Sequence, residues 1–464
     1  MGTFAETLLL ASTVVAAVAG AMALRGASLS SAPFMALIGV VYVACSLAFG
    51  FVGYLDVADT AVYMALSIIT GVANVCLVLV WGRICGRLLS IRPALLVVGM
   101  ASALSAILCF LYGKLPLEAT LGLFFLAALA SVVIPLTLQS LPALADSPQT
   151  ARGPDDEGAQ PDTISRPSAR QTLASLVDVA LMPGLGLIAF AFVMAVMRTA
   201  FNEGQVAYLS MMVLAALGLV AYAALKRGRF LLPGGLQLTF LPIAALVLLA
   251  AIAITATVNA GEAVAVWLTY GVYSLAVVLT IATLCAVAHA GEFSSDLVFS
   301  VAVAAFCGTS FVGQMIAGGL DDELINVAVT LTTTVYAFAL ALVSYVRRIR
   351  DVGANNTEER VGADADSTAA AASKGGSAAG LEAGTPSLQE RCDALATEFG
   401  LTSREREILA YLAEGHNGSY IASALFISPN TARTHIHNIY RKLDVSSRED
   451  ILRLTRTTLP QQTH

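Results

Sequence analysis

Apolar runs of about twenty residues, each long enough to cross roughly 30 Å of hydrocarbon, recur through the first three quarters of this chain. They occupy residues 4–24, 34–54, 60–81, 93–112 and 119–138, and, beyond a polar segment, 173–197, 206–225, 236–257, 263–288, 297–319 and 324–346. Inside a bilayer every backbone N–H and C=O must be satisfied within the protein, and runs of this length and smoothness do so as helices. About eleven membrane spans are therefore expected, and an all-α chain. Of 464 residues, 57% are hydrophobic and 12% charged, where soluble domains carry about 25% charged residues. The first run lacks a basic leader and is too long for a cleaved signal peptide, so it reads as a retained span.

Basic residues in the connections orient the spans. With the C-terminus in the cytoplasm, that side receives Arg25, Arg83, Arg87, Arg92, Arg152, Arg166, Arg170, Lys226, Arg227, Arg229, Arg347, Arg348 and Arg350. Only Lys114 and Arg198 fall outside, a split of 13 to 2 that one missed span would scramble. The expectation is a multi-pass protein of the cell membrane with its N-terminus outside.

The spans group as a bundle over residues 1–350: a first half at 1–141, a central cytoplasmic loop at 142–172 and a second half at 173–350. The first half is one helix short of the second, an arrangement that suggests two halves about a pseudo-two-fold axis. The stretch "WGRICGRLLSIRPALL" (81–96) resembles the Gly/Arg-rich cytoplasmic loops of the major facilitator superfamily, and "LKRGRFLLPGG" is a similarly basic loop in the second half. The acidic residue of the family's loop is absent from "GRICGR". The resemblance implies a facilitator-like fold.

Carriers coupled to protons or ions keep ionisable side chains inside their spans, because buried charge is costly. Here the spans hold only Glu6, at an end, and Asp178. Asp178 reads either as a ligand or proton sensor or as an interfacial residue facing headgroups. Asn74 and Gln314 are candidates for a polar cavity, and Trp267, Tyr270 and Tyr273 for an aromatic wall; each also suits helix–helix packing or interfacial anchoring. Cys45, Cys76, Cys85, Cys109, Cys285 and Cys307 lie in or beside apolar runs without a CxxC pair or clustered histidines. They read as small core residues, and no metal or cofactor is expected.

Residues 351–386 change to Ala, Gly, Ser and acidic side chains, a flexible low-complexity tether. A chain of that length spans about 30 to 35 Å root-mean-square. It transmits torque poorly, so signalling through it works by local concentration, docking or release.

The remaining segment, 387–464, is expected to be a small helical domain. After a lead-in helix in "SLQERCDALATEF", Thr402 and Glu405 form a capping box, Gly415 stops the helix, Asn417 caps a second, Ser428 and Pro429 open a third, and Ser446 with Glu449 caps a fourth. On the third helix Ala432, Ile436, Ile439 and Leu443 form a core stripe, with Asn430, Arg433, Thr434, His437 and Arg441 opposite. Between Pro429 and Leu443 there is no acidic residue. A solvated helix face normally mixes both signs, whereas an acid-free one suits a groove walled by phosphates. A bundle used for protein contacts is the other reading. Arg433 is placed for guanine and Thr434 and His437 for neighbouring bases, with Asn430, Arg441 and Lys442 at phosphates. His435 lies between the two faces.

The segment 401–454 resembles the LuxR-type helix-turn-helix of bacterial transcription regulators, at "LTSREREIL", "AEG", "IA", "LFIS", "NTARTHIHNIYRKL" and the Val445-x-Ser-Arg that follows. The resemblance implies base contacts at Arg433, Thr434 and His437, and structural roles for Glu407, Gly415, Leu443 and Val445. In "NGSYIA", Ser419 and Tyr420 replace a common Lys-Glu pair, which puts one phosphate contact in doubt. With no receiver domain, nucleophile–base pair, metal cluster or phosphate loop visible, the chain is expected not to be an enzyme. It reads as a membrane-bound one-component transcription regulator: the bundle detects a small-molecule or membrane signal and the tail binds double-stranded DNA, as a homodimer on paired half-sites. The alternative is a membrane transporter with a regulatory helix-turn-helix tail.

Overall fold

The computed structural model describes residues 2–27, 32–54, 60–112, 114–139, 169–200, 204–225, 262–321, 324–325, 327–343, 345–346, 388–416, 418–445 and 448–457. Among these there is no strand, as the apolar periodicity requires. The chain divides into two compact units, Met1–Ala341 and Leu342–His464.

The first unit contains α1 (Gly2–Leu24), α2 (Ala32–Tyr54), α3 (Thr60–Leu88), α4 (Ile91–Tyr112), α5 (Leu117–Gln139), α6 (Ala169–Ala200), α7 (Gly204–Leu225), α8 (Glu262–His289) and α9 (Ser295–Ala317), followed by α10 (Val327–Val343). Eight of these, all but α2 and α10, are long and apolar enough among the described residues to cross a membrane. The span expected at 236–257 lies outside the described residues. Large apolar side chains such as Val40, Leu126, Leu331 and Phe338 are exposed on the surface. In water such a surface would drive association; against lipid tails it is the ordinary solution. The unit is a multi-pass membrane bundle.

Within it, α3 packs on α1, α2 and α5, and the first half meets the second through α1 on α9, α4 on α7, and α3 on α8 and α9. Small and hydroxyl side chains mediate the approach, as expected where lipid supplies no hydrophobic drive. Trp81 Nε1 donates to Ser131 O at 3.0 Å between α3 and α5. Thr7 and Ser67 hydrogen-bond between α1 and α3.

Two expectations need correction here. The basic stretch after Trp81 is largely not a loop: α3 continues to Leu88 and α4 resumes at Ile91. Arginine permits this, since its long stem stays on the apolar bundle while its head reaches the polar boundary. Nor are all six bundle cysteines core residues: Cys45, Cys76, Cys285 and Cys307 are buried, Cys85 is half-buried, and Cys109 is exposed. An apolar run has a lipid face as well as a core face, and residue type alone does not separate them.

The second unit holds α11 (Leu388–Glu398), α12 (Ser403–Ala413), α13 (Gly418–Leu425), α14 (Pro429–Leu443) and α15 (Arg448–Thr457). Its core is built from Leu395, Ile408, Leu409, Ile421, Ile439 and Ile451, all buried. α12 sits centrally, touching α11, α14 and α15, while α13 packs on α14 and α11 on α15.

Candidate nucleic-acid interface and inter-half contacts

The C-terminal unit positions α14 by capping at both ends. Ser428 accepts from Thr431 N–H at 3.1 Å, Pro429 supplies the first helical turn, and Asp444 closes the helix in the left-handed region at φ 52, ψ 48. Upstream, the Thr402–Glu405 capping box forms in both directions. Gly415 takes φ 88, a conformation costly for any residue with a Cβ. The caps expected at Asn417 and at Ser446 with Glu449 lie on residues or side chains outside those described.

The turn from α13 into α14 bends at Phe426, a bulky residue at φ 54. Left-handed backbone is unfavourable for such a side chain; burial of its ring opposes that cost. Arg404 Nη2 donates to Leu425 O at 2.8 Å, capping the end of α13, and Arg404 Nη1 donates to Glu407 Oε2 at 2.8 Å. Glu407 thus orients Arg404. The clamp escapes a reading of the sequence because its acceptor is a backbone carbonyl; the three-residue spacing of Arg404 and Glu407 is the only sign of it.

On α14, Ala432, Ile439 and Leu443 are buried and Ile436 is half-buried, while Arg433, Thr434, His437 and Arg441 are exposed. His435 is half-buried between the faces. Asn430 lies in the first turn of the helix, its side chain outside those described. Lys442, expected at a phosphate, also contacts the domain itself: its Nζ donates to Glu405 Oε2 at 2.8 Å and to Gly400 O at 3.2 Å. Two of its three donors are turned inward, because the helix places it over the first turn of α12. Burial disfavours ionised Glu405, but the hydrogen bonds from Lys442 and Thr402 prevail and hold its carboxyl below the usual value. Tyr420, where a Lys-Glu pair is common, stacks on His416 with ring centroids 4.0 Å apart. His416 Nε2 lies 3.5 Å from Glu414 Oε2. An aromatic plate stands where the LuxR-type pattern commonly has a charged pair.

In the bundle, Asn74 on α3 is exposed, Trp267 on α8 is 39% exposed and Tyr270 is buried, its ring 5.6 Å from that of Tyr208. Tyr273 Oη hydrogen-bonds Thr333 Oγ1 at 3.0 Å, and Gln314 Oε1 is buried without a hydrogen-bond partner. Asp178 lies in α6, its side chain outside those described. Among the described side chains, no hydrogen bond or ring contact joins one of these candidates to another.

Among the described residues, several polar contacts between the two halves lie at one end of the bundle. Arg83 pairs with Asp296, both Nε and Nη2 donating to the carboxylate, the second at 2.6 Å; each side chain is 13% exposed. Asp296 lies in the first turn of α9, one residue before the apolar run, so a search confined to the spans passes over it. Arg92 Nε donates to Ala223 O at 3.1 Å, and His289 Nδ1 donates to Gly86 O at 3.0 Å. Close approach of α3 here requires glycine: a methyl on Gly86 would meet the Ala288 methyl at 2.7 Å, and one on Gly82 would overlap the Phe299 ring. The Gly/Arg pattern is thus a packing and pairing surface as well as an orientation signal.

With this geometry in place, similarity to known proteins can be stated. Residues 400–455 match the family of bacterial regulatory proteins of the luxR type. The chain is 54% identical over 48 residues to the transcriptional regulatory protein LiaR of Bacillus subtilis, spanning 10% of this chain and 23% of that one. It is 44% identical over 50 residues to the transcriptional regulatory protein YhcZ of the same organism, 11% of this chain and 23% of that one. The match therefore spans about a quarter of these relatives' length. By structure, the chain resembles the human organic anion transporter MFSD10 with a TM-score of 0.50 at 16% identity, covering 74% of this chain and 82% of the other. That likeness is one of fold, and agrees with a facilitator-like bundle. Residues 400–455 thus form a helix-turn-helix domain of the luxR type.

Proposed function

We propose that the chain is a membrane-bound one-component transcription regulator that receives its signal through the bundle and reads DNA with α14. The observation that carries this is the presence on one chain of eight membrane-length helices and a luxR-type helix-turn-helix. Arg433 reads guanine, Thr434 and His437 read the neighbouring bases, and Asn430 and Arg441 hold phosphates. Lys442 keeps α14 seated on α12. The C-terminal domain lies in the cytoplasm and the N-terminus outside, following the distribution of Arg and Lys.

Two domains on adjacent half-sites bind as a pair. A signal that changes the pairing of two bundles, or frees a docked tail, alters the effective concentration of the second domain. Exchanging residues 1–350 for an unrelated membrane anchor tests this: DNA occupancy should persist while its response to the signal disappears. A response that survives the exchange would exclude the bundle as the input. Solute flux in sealed vesicles carrying the bundle alone would favour a transporter with a regulatory tail.

A further inference from the structure

The two halves of the bundle repeat one packing scheme. α1 on α9 is matched by α4 on α7, and α3 on α1 by α8 on α7, as a pseudo-two-fold axis requires. In the second half α8 and α9 are joined by a short turn, and α6 packs on both. Ser310 of α9 donates to Ala191 O of α6 at 3.4 Å, and a methyl on Gly313 would meet the Ala195 methyl at 2.9 Å. Their counterparts, α3 and α4, are joined by the turn at Leu89 and Ser90. Among the described residues no helix holds the place beside them that α6 holds beside α8 and α9, and α3 and α4 do not pack on each other along their length. A cleft therefore runs between them. Toward the turn it is closed: Leu79, Val80 and Ile84 of α3 and Ala94, Leu95 and Val98 of α4 are buried. Farther out, Ala101 and Ser105 of α4 are exposed, and so is Asn74 at the midpoint of α3. Asn74 and Ser105 are equally far along the chain from the turn, so they stand at one depth, about 22 Å from it at a helical rise of 1.5 Å per residue.

An amide at mid-membrane depth is costly unless a hydrogen-bonding partner meets it. Between Thr60 and Trp81, and between Pro93 and Tyr112, there is no Asp, Glu, Lys, Arg or His, and both helices are mostly apolar. The cleft thus offers a charged ligand no counter-ion, and a buried charge without one is costly. We propose that this cleft binds an uncharged, largely apolar molecule carrying a hydroxyl, carbonyl or amide group, which enters sideways from the lipid and hydrogen-bonds through that group to Asn74, with Ser105 on the facing wall. The Asn74 side chain has both donors and an acceptor, so it serves any of these groups. Because the cleft is closed at the Arg-rich end of α3, its open part lies toward the other side of the membrane, outside by the positive-inside rule. The same α3 carries Arg83, paired with Asp296 of the second half, so a molecule wedged against Asn74 bears on a helix that joins the halves. The site deepens the regulator reading, and rests on it, by giving the bundle an input; binding in the cleft does not itself depend on DNA.

The test uses the full-length chain in lipid nanodiscs and a diazirine-bearing decanol, with the matching diazirine-bearing decane as the hydrocarbon control; labelled residues are located by mass spectrometry. The expected result is decanol labelling around Asn74 and Ser105 about five-fold above that at Leu126, an exposed residue of α5, as one net hydrogen bond supplies. Asn74→Leu should abolish the excess, while the decane labels both places alike in both proteins. Ser105→Phe, which fills the cleft and leaves Asn74 in place, should lose the same labelling, and Asn74→Gln should retain it, which separates recognition from misfolding. Decanol labelling no higher in the cleft than at Leu126, or unchanged in Asn74→Leu, overturns the proposal. Crosslinking of Ser105→Cys to a second chain also overturns it, by placing a helix in the cleft. Cleft labelling that leaves DNA occupancy unchanged at saturating decanol supports the site and counts against the bundle as the regulator's input.

Discussion

Lys442 Nζ donates to Glu405 Oε2 at 2.8 Å, tying the last turn of α14 to the first turn of α12. Glu405 is buried, and the same carboxylate oxygen accepts the Thr402 backbone N–H at 2.8 Å. One carboxylate thus closes a cap and seats α14.

Lys442→Met should destabilise the C-terminal domain by about 1–2 kcal/mol, the cost of leaving a buried acceptor partly unsatisfied. Because the folded-state value of Glu405 is depressed, its contribution is complete above the unfolded value of about 4.3 and is lost as pH falls through the folded one. Thermal melts between pH 7 and pH 3 should show a larger acid-induced loss in the wild type than in Lys442→Met. Parallel melting curves would contradict the assignment.

Arg433→Ala and Arg441→Ala should leave the melting temperature within error, since both side chains are exposed. Their DNA phenotypes should differ. Loss of Arg433 costs about 1–3 kcal/mol and relaxes specificity at one base, while loss of Arg441 weakens all sequences alike and reduces the salt slope by about 1. Titrations at several salt concentrations separate the two.

Gly415→Ala should cost about 1–2 kcal/mol of domain stability, because the residue sits at φ 88 where an L side chain is strained. Denaturant unfolding at neutral pH reads this directly, with an unchanged m-value.

Arg83→Ala or Asp296→Ala should each lower the thermal stability of the detergent-solubilised chain, by about 3 kcal/mol for breaking a largely buried pair. Removing both partners should cost less than the sum of the single changes. Additive losses would mean that the pair does not couple the two halves.

The parts of this molecule legible in its sequence are those with local physical causes. Thr402, Glu405, Ser428 and Pro429 announce their helix ends through neighbours within three residues, and the buried face of α14 follows from spacing alone. Contacts between distant segments were hidden. Arg83 looked like an orientation signal until Asp296 was placed against it. Lys442 shows the same limit from the other side: its charge and position on an acid-free helix point to phosphate, while its contact with Glu405 arises only from tertiary packing. The apolar bundle shows its spans plainly and its inner faces poorly, because lipid-facing and core-facing side chains are chemically alike.

The most direct test of the account is genome-wide crosslinking of the full-length chain to DNA in its native cell, compared with Arg433→Ala at equal membrane abundance. The account predicts discrete bound sites sharing paired half-sites, lost in the variant. Absence of enriched sites in the wild type, or sites that persist unchanged in Arg433→Ala, would contradict it.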